Sequence, residues 1–117
     1  MIRRYAAHFL FIADVGFIRR QVVEIANGNV QRLLPLTDEL ENTVWIADGI
    51  IALWPPAVVG GDGWRNEFVG EIPYSIKPSL PVGWQRGPLS SLQAYSLTPF
   101  DLIALKPVAG TRHKLLL

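Results

Sequence analysis

Few side chains in this sequence are equipped for chemistry, and they are widely spaced. Histidine occurs only as His8 and His113, cysteine is absent, and the lysines are Lys77, Lys106 and Lys114. Metal-assisted hydrolysis needs several His, Asp or Glu ligands converging on one ion. Covalent catalysis needs a nucleophile beside a base, and no acid is spaced to serve any of the lysines. The missing cysteines remove thiol nucleophiles, disulfides, Cys-based zinc sites and iron–sulfur clusters together. Neither a metal centre nor a cofactor site is expected.

Each remaining group has a plain reading beside a functional one. His8 interrupts the apolar run RYAAHFLFIA and reads as a core or interface histidine. His113, in GTRHK, is flanked by basic residues, which suits contact with an anion or a partner, or a solvated tail. Asp62, set in GGDG, reads as a loop tip. A phosphate-cradling loop would need a following helix and usually a lysine, whereas Trp64 and Arg65 follow. Of the four tryptophans, Trp45, Trp54, Trp64 and Trp84, three lie in or beside a Pro/Gly-rich segment, where they would line a groove, anchor a partner or cover an open sheet face. Arg3, Arg4, Arg19 and Arg20 would form one basic patch if the first two strands pair, diluted by Glu24, Glu39 and Glu41.

Strands must position all of these groups. The strongest local signal is VVEIANGNVQRLLPL at 22–36, where Asn27-Gly28 separates two β-rich runs and supplies the two positive-φ residues of a type I′ hairpin turn. Ahead of it, residues 4–13 are apolar on both alternating faces, as in a strand covered on both sides. Tyr5, Ala7, Phe9 and Phe11 fall on one face; Ala6, His8, Leu10 and Ile12 fall on the other. A turn at 14–16 leads to a second strand at 17–26, and residues 30–36 make the return strand. Residues 37–42 are a polar connector with room for one helical turn capped by Thr37. Strands at 43–47 and 49–54 then bracket Asp48-Gly49, a second tight turn or a bulge. From 55 to 91, prolines and glycines forbid long regular elements and leave short strands at 66–72 and 74–77. Strands return at 92–97 and 100–106, a turn follows at 107–111, and 113–117 makes a last short strand. The class is mainly β: a small β-sandwich or partly open barrel built from N-terminal (1–54) and C-terminal (92–117) strands around a loop-rich middle (55–91), all in one domain.

Composition bounds the partners. Hydrophobic residues make up 50% and charged residues 18%, which speaks for a packed domain and against disorder. A net charge of +1 gives no general attraction to nucleic acid, so that partner is not expected. The N-terminus offers a basic start followed by an apolar stretch, but a signal peptide is not expected, because His8 interrupts the run, Asp14 closes it and Arg19-Arg20 stand where cleavage would fall. No apolar run reaches the ~20 residues that span a bilayer. A cytoplasmic protein without membrane contact is the expectation.

The stretch VVEIANGNVQRLLPL resembles the N-terminal strands of the amidohydrolase superfamily, whose I-x-I-x-(D/N)-G-x-I-x-x-I-x-P pattern forms a hairpin beside the catalytic barrel. TPFDLIALKP at 98–107 is similar to the same families' C-terminal ADLVVLDP strand. The resemblance implies a small composite sandwich built from both chain ends, yet positions 37 to 99 fall far short of the about 250 residues of a (β/α)₈ barrel. The family's PG-x-(I/V)-(D/N)-x-H-x-H metal segment is replaced by WIADGIIALWPPAVVGG, which holds no histidine. Hydrolysis of that family's type is therefore not expected. Two readings stay open. One is a non-catalytic, free-standing composite-domain-like β module acting through self-association, as a homo-oligomer, or through a protein partner. The other is a small ligand-binding or hydrolytic protein with a pocket under 55–91. Trp54, Trp64, Asp62, Trp84 and His113 are the candidate contacts.

Overall fold

A computed structural model describes residues 2–12, 15–36, 42–55, 63–68, 76–77 and 91–117. The strands are β1 (Ile2–Ile12), β2 (Gly16–Ala26), β3 (Asn29–Pro35), β4 (Thr43–Ile46), β5 (Ile50–Trp54), β6 (Ile76–Lys77), β7 (Gln93–Asp101) and β8 (Lys106–Leu115), with a 3₁₀ helix at Gly63–Phe68. They form one mixed sheet in the order β3-β2-β1-β5-β7-β8, with β4 added to β1 and β6 to β2. The chain is mainly β, as expected. Its single open sheet matches the partly open form of the expected fold, and the hairpin β2–β3 shares that sheet with β7. Among the described residues no helix is long and apolar enough to cross a membrane.

β1 is central because it is apolar on both faces. It pairs antiparallel with β2 on one side and parallel with β4 and β5 on the other. The β2–β3 hairpin closes as its sequence dictates: Asn27 and Gly28 have φ of 55° and 79°, the two left-handed residues of a type I′ turn. The C-terminus reaches back to this hairpin, where Leu117 lies against Gly28 and its carbonyl accepts the Tyr5 hydroxyl at 2.8 Å.

A crease crosses the sheet at one level, marked by an irregularity in each strand it meets. The β1–β2 ladder skips the His8/Arg20 position without changing register between Ala7↔Gln21 and Phe9↔Arg19, and there Arg20 has a φ of 48°. Next to it, β1 advances from Ala7 to Leu10 while its neighbour advances from Ile46 to Ile51, so the Asp48-Gly49 step is extruded as a bulge between β4 and β5. Of the two expected forms, the bulge is the one present. The bulge docks on β7: the Phe100 N–H donates to the Asp48 carbonyl at 2.9 Å, and Gly49 lies so close to the Leu97 carbonyl that no side chain would fit. β7 and β8 shift register beside it, between Thr98 and Phe100, leaving residues 108–111 of β8 looped out. Thr111 holds this loop by accepting from the Val108 N–H at 2.8 Å and donating to the Pro99 carbonyl. Arg65 of the 3₁₀ helix clamps it from above, donating to the carbonyls of Thr111 at 2.7 Å and Val108 at 3.1 Å.

The crease exchanges the two faces of the strands. Tyr5 and Ala7, then Leu10 and Ile12, pack in one core with Ile18, Val23, Ile25, Val30, Leu33, Ile51 and Leu53. Phe11 and Phe17 pack on the opposite face with Trp54, Tyr95, Leu97 and Phe100, capped by Trp64 and Phe68 of the 3₁₀ helix. The strict alternation expected for 4–13 is thus corrected: a left-handed residue in β2 rotates the strand pair at His8. Three further expectations are corrected. The strand expected at 100–106 ends at Asp101, and residues 102–105 form a turn in which the Asp101 carboxylate accepts the N–H groups of Ile103 and Ala104, both at 2.9 Å. The turn expected at 107–111 belongs to β8, an edge strand where Pro107 needs no ladder partner. Of the strand expected at 66–72, the described part is the 3₁₀ helix. The connector at 37–41 lies outside the described residues.

Glu24, buried at the centre of three strands, accepts from Arg4 Nε at 2.9 Å and from Arg32 Nε and Nη2 at 3.1 and 2.9 Å. Hydrogen bonds from Arg32 first, and from Arg4, hold its carboxyl below the usual carboxylate range against the opposing effect of burial.

Two predictions follow from this architecture. Gly28→Val should lower unfolding free energy by ~1–2 kcal/mol, because a β-branched residue is forced into the left-handed region; a denaturant melt checks it. Because folding lowers the Glu24 pKa, the stability it confers is complete above the unfolded value and is lost as pH falls through the folded one. Glu24→Gln should therefore cost about 1 kcal/mol at neutral pH, since both arginines stay partly in water. The gap to the parent should close in acid when melts are repeated down the pH scale.

Candidate functional site

The crease opens a cavity of about 280 Å³ lined by His8, Phe9, Arg19, Arg20 and Leu102. Its walls come from the two strands that bend there and from the β7–β8 turn. In a regular strand consecutive side chains point to opposite faces. Here Arg19 and Arg20 are both exposed and both line the cavity, because the left-handed backbone at Arg20 undoes the alternation. That backbone is pinned on both sides: the buried Gln21 side chain donates to the Arg19 carbonyl at 3.2 Å, and the Leu36 N–H donates to the Arg20 carbonyl at 2.8 Å.

The side chains supply a charged rim and an apolar wall. The Arg19 guanidinium carbon sits 5.9 Å from the centre of the Phe9 ring, a cation–π contact that holds it beside the wall. His8 meets Trp45 edge-on, with ring centres 4.9 Å apart. Trp45 remains 42% exposed, so its ring extends the aromatic surface outward from the cavity. Among the described residues no carboxylate lines the cavity, and neither Arg19 nor Arg20 forms an ion pair. The nearby Asp101 carboxylate, held below its ordinary range by the Ala104 and Ile103 N–H groups, is engaged in its own turn. Two guanidinium groups without an ion-pair partner among the described residues, a histidine and two apolar side chains thus share one cavity, and guanidinium groups are suited to anions.

The basic patch expected from Arg3, Arg4, Arg19 and Arg20 divides. β1 and β2 do pair, but Arg4 is spent on Glu24, and only the 19–20 doublet reaches the cavity. The structure brings together three of the expected contacts: Trp54 and Trp64 in the packed core, with the half-buried His113 against them. Trp54 and Trp64 are wholly buried with ring centres 6.4 Å apart. His113 leans on Trp64 and Tyr95 at 5.8 and 6.2 Å. The indole N–H groups of Trp54 and Trp64 have no hydrogen-bond partner among the described residues, and aromatic rings surround both. Trp54 and Trp64 cover the second sheet face, as one of the two readings of the tryptophans has it. Asp62 and Trp84 lie outside the described residues. Among those residues no three His, Asp or Glu side chains gather as metal ligands would.

The contacts that sequence reasoning missed were Phe9, Leu102 and Trp45, together with the role of His8. The available signal was the Arg19-Arg20 doublet opposite an aromatic residue in the paired strand. No protein-family model matches the sequence, and neither a curated protein nor a solved structure matches it.

Trp64→Ala should destabilise the fold by about 3–5 kcal/mol, the cost of removing a large buried aromatic. A guanidinium melt checks this, and a variant as stable as the parent would show that Trp64 is no core residue.

Proposed function

We propose that this protein is a non-catalytic β module that works by binding, and that the cavity at the crease receives the anionic group of its ligand. One observation carries the reading: Arg19 and Arg20, adjacent in sequence, both line a cavity with His8, and among the described residues no carboxylate joins them there. Charge-assisted contacts from paired guanidinium groups are among the stronger polar interactions available to a protein surface. Among the described residues none beside them pairs a nucleophile with a base, and the groups that line the cavity support binding.

A second reading, self-association, draws on β4. Its consecutive residues Val44 and Trp45 are 50% and 42% exposed, and its only strand partner among the described residues is β1. Sheet edges of this kind accept a further strand.

Amide NMR with sodium phosphate or benzoate added at constant ionic strength tests the binding reading. Saturable shifts should centre on His8, Phe9, Arg19 and Arg20, and they should vanish in the Arg19→Ala/Arg20→Ala variant. Scattered, unsaturable shifts would refute it. Sedimentation of parent and Val44→Lys protein tests the second reading: a parent dimer dissociated by the substitution supports it, and a parent monomer ends it.

A further inference from the structure

We propose that the crease cavity takes a small organic anion, a single apolar ring bearing a carboxylate or a phosphate, with Arg19 and Arg20 on the oxyanion and Phe9 and Leu102 against the ring. The inference rests on the anion-binding reading above and names the ligand class for that site.

Size is the first argument. Pockets that enclose drug-sized molecules span roughly 300–1,000 Å³, and about 280 Å³ falls below that range. A one-ring molecule fits within that volume. Lining chemistry is the second. A purely inorganic anion gains nothing from Phe9 and Leu102, which here form one side of the cavity. The His8–Trp45 ring pair continues that surface toward solvent. An apolar body joined to a charged head uses both halves of the lining.

Backbone geometry is the third argument and is independent of the other two. Arg20 holds a φ of 48°, a region where a side-chain-bearing residue is disfavoured and glycine is at ease. A glycine would bend the sheet equally well. What arginine adds is a second guanidinium on the same cavity as Arg19, a group that no described part of the fold binds and that is placed to meet a ligand.

The test combines a ligand series with one substitution, read by calorimetry and thermal melting on the full chain. Phenyl phosphate should bind about ten-fold more tightly than inorganic phosphate, and benzoate about ten-fold more tightly than acetate, the gain from burying one ring. Benzylamine, with the ring and the opposite charge, should not bind. Arg20→Gly should melt at or above the parent temperature, because glycine relieves the left-handed backbone, and should weaken phenyl phosphate binding about ten-fold or more. Equal affinity for inorganic and phenyl phosphate would overturn the ring requirement while leaving anion binding intact. Failure of every anion to bind would overturn both readings. Unchanged affinity in a folded Arg20→Gly protein would overturn the assignment of Arg20. If phenyl phosphate binds and benzoate does not, the head group is a phosphate; the reverse makes it a carboxylate.

Discussion

The crease through the sheet is the constraint on which the rest of the molecule depends. A long, flat sheet of this composition would expose apolar side chains on at least one face. The bend lets one sheet wrap a core on one face below the crease and continue that core on the opposite face above it. It is assembled from unrelated local devices: a left-handed arginine in β2, an extruded Asp48-Gly49 step between β4 and β5, and a register shift where β7 meets β8. Their alignment is held by direct bonds, above all Phe100 N–H to the Asp48 carbonyl and the Arg65 clamp on β8. Removing any one of them would misalign the two halves of the core.

Bending also generates the site. Where strands fold sharply, side chains normally divided between two faces crowd onto one, and the space between them cannot be closed by regular packing. Arg19 and Arg20 occupy that space. The same geometry explains why Trp54 and Trp64 serve the fold: Trp54 lies on the face that the 3₁₀ helix covers and Trp64 of that helix packs down on it, so aromatic area fills the gap under a short cap.

The sequence made the hairpin and the strand-rich class legible because their signals are local. Asn27-Gly28 can hardly be anything but a type I′ turn, and a run apolar on both faces reads as a central strand. The crease left little trace because arginine has no preference for a left-handed backbone, so nothing at position 20 marks the loss of alternation. Apolar content misled at 102–105, where Leu102 and Leu105 sit in a turn fixed by Asp101 and Ile103 is 98% exposed. Pro107 and Gly110 misled in the opposite sense, since a strand at a sheet edge tolerates both. Of the candidate site, the Arg19-Arg20 doublet was visible, but its convergence with Phe9 and Leu102 depends on long-range pairing that spacing alone does not reveal.

Diffraction from crystals grown with phenyl phosphate would test the central claim most directly, because it shows both the backbone at Arg20 and the occupant of the crease. The account predicts a left-handed Arg20, phosphate density between the guanidinium groups of Arg19 and Arg20, and the phenyl ring against Phe9 and Leu102. An extended Arg20 with the two arginines on opposite faces, or an anion bound elsewhere with the crease empty, would contradict it.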